Sequence, residues 1–200
     1  MRLHIFGASG SGVTTTGKAL AKKLKLEYFD SDDYFWKSTN PPFQNRQKPT
    51  DRNAKIKFDL QESQNWILGG SIFQWGDNIF PKFDLVIFLF LSPEIRIERL
   101  KKREFERFGN IINTDPKRRR QFEKFILWAS DYDNNLGIAN RNFIAHENWL
   151  RTISSPTLKI FGDFRTDQRV ERIIERMRQE KLLPTLDLSK LGRNNINEHL

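Results

Sequence analysis

The sequence predicts a three-layer α/β/α fold around a five-stranded parallel sheet. Three observations carry that reading. A short apolar stretch, Leu3-His4-Ile5-Phe6, runs into a glycine-rich turn and then a helical pattern with Ala19, Leu20 and Leu24 on one side. Asp84 to Leu91 is an almost unbroken apolar run, the mark of a parallel strand covered on both faces. Strand and helix patterns alternate along the chain, which implies right-handed crossovers and helices on both sides of the sheet.

The turn is Gly7-Ala8-Ser9-Gly10-Ser11-Gly12-Val13-Thr14-Thr15. Glycines at that spacing between a strand and a helix let main-chain N–H groups turn inward around a phosphate. The helix that follows adds the positive end of its dipole. Thr14 stands at the hydroxyl position that binds Mg²⁺ in such loops, and Val13 stands where the pattern G-x-x-x-x-G-K-[ST] has lysine. The amide cradle survives that change and the point charge on the outer phosphates does not. Lys18 is about 140° further round the helix and is a poor substitute.

Leu26 to Asp30 reads as the second strand, with the acidic turn Asp30-Ser31-Asp32-Asp33 at its carboxyl end. Residues 37–50 contain Pro41, Pro42 and Pro49 and read as loop; a helix capped by Thr50 or Asp51 runs to about Gln64. Trp66 to Gly70 is the third strand. Ser92-Pro93 starts a helix over about 93–108, stopped by Gly109. Its Arg96, Arg99, Arg103 and Arg107 fall in one stripe. Asp115-Pro116 starts another helix, residues 139–153 a further one, Thr157 to Phe161 the last strand, and 166–180 the closing helix. In such sheets the ligand lies beyond the carboxyl ends of the strands. The loop at 7–15, the acidic turn and Gly69-Gly70 all reach that edge.

The chain has 200 residues, a formal charge of +9 and no cysteine. The charge calls for anionic partners. The absence of cysteine excludes disulfides, thiol catalysis and cysteine-based zinc sites. Leu85 to Leu91 is too short to cross a bilayer, and with no leader before the first strand the expectation is a cytoplasmic protein. Lys117 to Arg120 is a basic run, but no recognition motif accompanies it, so nucleic acid is not an expected partner.

These motifs resemble the P-loop kinases of small molecules, the adenylate kinase and shikimate kinase group, over about residues 1–182. Phe29-Asp30-Ser31-Asp32 is similar to the acidic pair of shikimate kinases, Gly69-Gly70 to their glycine turn after the third strand, and the helix through Arg99, Arg103 and Arg107 to the one that enters a mobile lid. Trp66 to Asp77, Arg103 to Gly109 and Trp128 to Asp133 also resemble a bacterial branch labelled adenylate-kinase-like or topology-modulation proteins, which tends to lack the loop lysine. The resemblance implies an ATP-binding protein with a helical lid at about 104–137 and a polar tail over 183–200. It further implies Mg²⁺-dependent transfer of the γ-phosphate to a nucleotide or other small-molecule acceptor.

The roles it implies are these. Gly7, Ser9, Gly10, Ser11, Gly12, Val13, Thr14 and Thr15 hold the nucleotide. Thr14 and Asp32, the latter directly or through water, hold Mg²⁺. Asp30 or Asp32 accepts or orients the acceptor's proton. Arg99, Arg103 and Arg107 close over the transferring group. The alternative is a nucleotide-binding regulatory module with little or no turnover, and Val13 is the residue that favours it.

Overall fold

A computed structural model describes residues 1–40, 42–76 and 78–183. Five strands, β1 (Arg2–Gly7), β2 (Glu27–Asp30), β3 (Trp66–Gly69), β4 (Leu85–Phe90) and β5 (Thr157–Phe161), form one parallel sheet in the order β2-β3-β1-β4-β5. Register aligns Ile5 with Gly69 and Ile87, so the strands end together at one edge. The helices are α1 (Val13–Leu24), α2 (Ser31–Phe35), α3 (Pro49–Glu62), α4 (Pro93–Phe108), α5 (Ile111–Thr114), α6 (Pro116–Asn134), α7 (Phe143–Thr152) and α8 (Thr166–Gln179).

Strand alternation divides the core into two layers. Leu3, Ile5, Leu85, Ile87 and Leu89 pack on Leu20 and Ala21 of α1 and on Val170, Ile173 and Met177 of α8. Phe6, Leu68, Val86 and Phe88 point the other way, onto Ile56 and Leu60 of α3 and Leu150 of α7. Each such side chain contributes about 1.5–3 kcal/mol on burial. Ile87→Ala, fully inside, therefore costs roughly 2–5 kcal/mol. His4 occupies the aromatic side. Its Nδ1 lies 3.0 Å from the Leu68 carbonyl and its ring stacks between Phe6 and Phe83. Burial holds its pKa down at about 4, so it sits there neutral.

Two expectations need correction, and one element was not expected. The acidic turn is the first turn of a short helix, α2, whose cap is Asp30 accepting from the Asp32 amide at 3.1 Å. Between Gly109 and Pro116 lies a further helix, α5, whose four residues are too few to show a helical period in the sequence. The helix expected from 139 begins at Phe143, because the Asp131 carboxylate takes the amides of Leu136 and Ala139 at 2.6 Å each and holds that stretch as loop. Asn142 then caps α7 by accepting from Ala145 N at 2.8 Å. The expected tail lies outside the described residues except for Leu183.

Candidate active site

β1 delivers the chain into the glycine loop and α1 leaves it. Gly10 and Gly12 have φ of 85° and 92°, left-handed values that glycine adopts without strain. No side chain caps α1, so its first-turn amides at Val13, Thr14 and Thr15 are open toward the sheet edge. Val13 packs against the α1/α8 core layer. Nothing about its position substitutes for a lysine.

The acidic pair divides in two. Asp30 accepts three hydrogen bonds: Oδ1 caps α2, while Oδ2 accepts from Thr14 Oγ1 and from Tyr28 Oη, both at 2.9 Å. Gly17 and Gly69 leave room for the Tyr28 ring; a Cβ on either would collide with it. Burial and the Asp30 carboxylate hold the Tyr28 hydroxyl well above its usual range, so it stays a donor. Asp32 is the carboxylate left open. Desolvation, Asp30 and Asp33 push its pKa up, against the opposing pull of Arg141 and Arg103.

Opposite Asp32 lies a cluster that sequence reading missed. Arg46, Arg52 and Arg141 converge on the Phe35 ring, their Cζ atoms 5.4–5.6 Å from its centroid. Arg52 also lies 4.0 Å over Trp75, and Arg46 5.8 Å from Trp36. Trp36 and Trp75 thus stand against the arginine cluster. Among the described residues none of the three arginines has a carboxylate within 4 Å. Burial and mutual repulsion hold Arg52 and Arg141 below the usual guanidinium range. Arg52 is buried, Arg141 half-buried and Arg46 exposed; a buried charge without a counter-ion is costly, so an anion beside Arg52 and Arg141 would stabilise the cluster. Arg52 had a local signal: it stands in the core-facing phase of α3, four residues before Ile56. Arg141 had none.

The arginine stripe of α4 is distributed among separate neighbourhoods. Arg96 is fully buried and pairs with Asp133. Arg99 donates to Asp163 at 2.5 Å. Arg103 is the member whose field reaches Asp32. Arg107 bonds Glu104 at 3.1 Å and lies 5.0 Å over Phe43. Behind Gly70, Ser71 ties the edge together: its carbonyl accepts from Arg141 at 3.3 Å, and its hydroxyl is 2.9 Å from His146 Nε2. His146 Nδ1 is 2.9 Å from the Tyr132 hydroxyl, and burial holds the ring neutral with a pKa of about 3.

A glycine loop on β1, an acidic turn on β2, a glycine turn on β3 and the β2-β3-β1-β4-β5 sheet define a P-loop kinase of small molecules or nucleotides. A sequence profile described as shikimate kinase matches residues 9–126. The chain belongs to the shikimate kinase family. The uncharacterized protein YqaC of Bacillus subtilis (strain 168) is 39% identical over 173 residues, covering 86% of this chain and 95% of that one. A cytidylate kinase of Archaeoglobus fulgidus is 26% identical over 148 residues, covering 67% and 80%. In fold the chain is similar to a shikimate kinase from Acinetobacter baumannii in complex with shikimate, with a TM-score of 0.53 at 15% identity over 91% and 95% of the two chains. It is also similar to a deoxyadenosine kinase from M. mycoides, with a TM-score of 0.52 at 16% identity over 90% and 99%. At those identities the structures speak for the fold alone. Among the described residues no helix is long and apolar enough to cross a membrane.

Proposed function

We propose that this protein is an ATP-dependent kinase that phosphorylates a small anionic acceptor. The observation that carries it is the cluster of guanidinium groups at Arg46, Arg52 and Arg141, Arg52 buried and Arg141 half-buried, which face Asp32 and among the described residues pair with no carboxylate. In this reading the loop amides from Ser9 to Thr14 grip the polyphosphate. Thr14 and Asp30, two oxygen donors already 2.9 Å apart, suit a hard cation that keeps several waters. They are the residues that would hold Mg²⁺, with Asp32 near it. The ion, when bound, neutralises charge on the transferring phosphoryl group. Asp32, with its raised pKa, accepts the acceptor's proton. Arg103 balances charge near Asp32, and residues 104–137 form the lid over the site.

Phe35 and Trp75, near-parallel rings with Trp36 edge-on to Phe35, give the acceptor an aromatic wall, and the three arginines give it an anion site. Among compounds that similar proteins are named for, this favours shikimate and cytidine monophosphate, both anionic, over neutral deoxyadenosine. A thermal-shift panel of these three, each with MgATP, tests the reading, since a ligand of the folded state raises the midpoint by mass action. The anionic compounds raise it and accept phosphate. A response to deoxyadenosine alone overturns the anionic acceptor. The packing of Val13 into the core favours a second reading, a nucleotide-binding module in the cytoplasm with little turnover. Tight MgATP binding without product across a wide panel of anionic acceptors is its signature.

A further inference from the structure

Two buried arginines stand behind the phosphate loop. Arg96 of α4 is fully enclosed; its Nη1 donates to the Ser9 carbonyl at 3.0 Å, and its Nη2 donates to the Ala129 carbonyl at 3.0 Å and pairs with Asp133. Arg169, in the first turn of α8, is 4% exposed, and its Nη1 donates to the Ser11 carbonyl at 2.6 Å. The glycines make room for both. A Cβ on Gly10 would come within 2.9 Å of Arg96 Cγ, and one on Gly12 would collide with Arg169 Nη1.

Each carbonyl belongs to a peptide group whose other end is a loop amide. The Ser9 carbonyl shares its plane with the Gly10 N–H, and the Ser11 carbonyl with the Gly12 N–H. A cationic donor on the oxygen draws electron density along the peptide and makes the N–H a stronger donor, the cooperativity of linked hydrogen bonds. The two arginines are not equal in charge. Arg96 is neutralised by Asp133. Among the described residues Arg169 has only Asp163 at 3.9 Å, and Asp163 already serves Arg99 at 2.5 Å. Two guanidinium groups therefore share one carboxylate beside Gly12. Burial and Arg99 hold Arg169 below the usual guanidinium range, a strain that an anion in the loop relieves.

We propose that Arg169, seconded by Arg96, replaces the ammonium that Val13 denies to the loop, with its charge delivered to the polyphosphate through the peptide planes from behind. Both are positioning residues, and the inference rests on the loop being the ATP site. It would let a lysine-less loop hold a polyanion.

The test is binding of MgATP, MgADP and adenosine to the full chain by calorimetry, with melting temperatures measured alongside. In Arg169→Gln, MgATP weakens on the order of tenfold, about 1.4 kcal/mol. MgADP weakens less, adenosine is unchanged, and adding Val13→Lys to that variant recovers MgATP. A purely structural arginine gives equal losses for adenosine and MgATP and no recovery, which overturns the proposal. Should Arg169→Gln fail to fold, Asp163→Asn decides: Asp163 is 39% exposed, and removing it leaves Arg169 unopposed. MgATP then tightens several-fold relative to adenosine; unchanged or weaker MgATP overturns the proposal. A native chain that binds no MgATP defeats the ATP-site reading itself, whereas a native chain that binds it as tightly as Arg169→Gln does defeats only this inference.

Discussion

Arg52→Met separates the acceptor pocket from the phosphate loop. Methionine keeps an unbranched apolar stem against Trp75 and loses the guanidinium. In the free protein the loss is small. The contact over Trp75 at 4.0 Å is worth about 1 kcal/mol. Against it stand the desolvation of a side chain only 8% exposed and the repulsion of Arg141, both relieved by the change. The melting temperature should stay within about 4 °C, the shift that 1 kcal/mol gives a chain of this size. A bound anion instead loses a charge-assisted hydrogen bond, about 1.5–3 kcal/mol, so affinity falls about 10- to 150-fold. The assay is steady-state phosphoryl transfer to the acceptor that the panel identifies, with KM for ATP as internal control. The acceptor's KM rises by that factor and that of ATP stays within about twofold. An unchanged acceptor KM, or equal rises in both, refutes the pocket.

Other expectations concern the acidic turn and the buried histidines. Asp32→Asn removes the base and should lower kcat about 10²- to 10⁴-fold. Its melting temperature should hold or rise, because a carboxyl whose pKa is raised on folding favours the fold below its unfolded pKa and loses that contribution as pH rises through the folded one. In the native enzyme the acid limb of kcat/KM should lie above the ordinary carboxylate range of about 4; a limb at or below it removes Asp32 as base. His4 and His146, held neutral with pKa values of about 4 and 3, work in the opposite sense. Their stabilisation is full above the unfolded value of about 6.5 and drains as pH falls toward those values, so each costs about 2 kcal/mol by pH 5. Chemical denaturation at pH 7 and pH 5 measures it, and His4→Phe should remove roughly half of the difference.

Local patterns made much of the fold legible. The glycine spacing after Phe6 marked the phosphate loop, the apolar run marked β4, and Ser92-Pro93 with Gly109 bracketed α4 to the residue. Elements with no period of their own were not legible: α5 has four residues, and the start of α7 is set by a carboxylate on α6. The arginine cluster was hidden for the same reason. Arg46 and Arg52 are far in sequence from Arg141, and only the fold brings them to Phe35. One general signal was there to be used. Arg52, Arg96 and Arg169 each precede a buried apolar residue by four positions, Ile56, Leu100 and Ile173. A cation in the inward phase of a helix is placed there by something it binds. For Arg96 and Arg169 that partner is the phosphate loop's own carbonyls; for Arg52 the partner inside the chain is a side-chain amide and an aromatic face.

The most direct measurement is a crystal structure of the chain with Mg²⁺ and a non-hydrolysable ATP analogue. The account predicts the β-phosphate within hydrogen-bond distance of the amides between Ser9 and Thr14, with no lysine side chain in contact and with Arg169 still on the Ser11 carbonyl. A nucleotide bound away from that loop, or a bowl filled by a side chain of the protein itself, contradicts it.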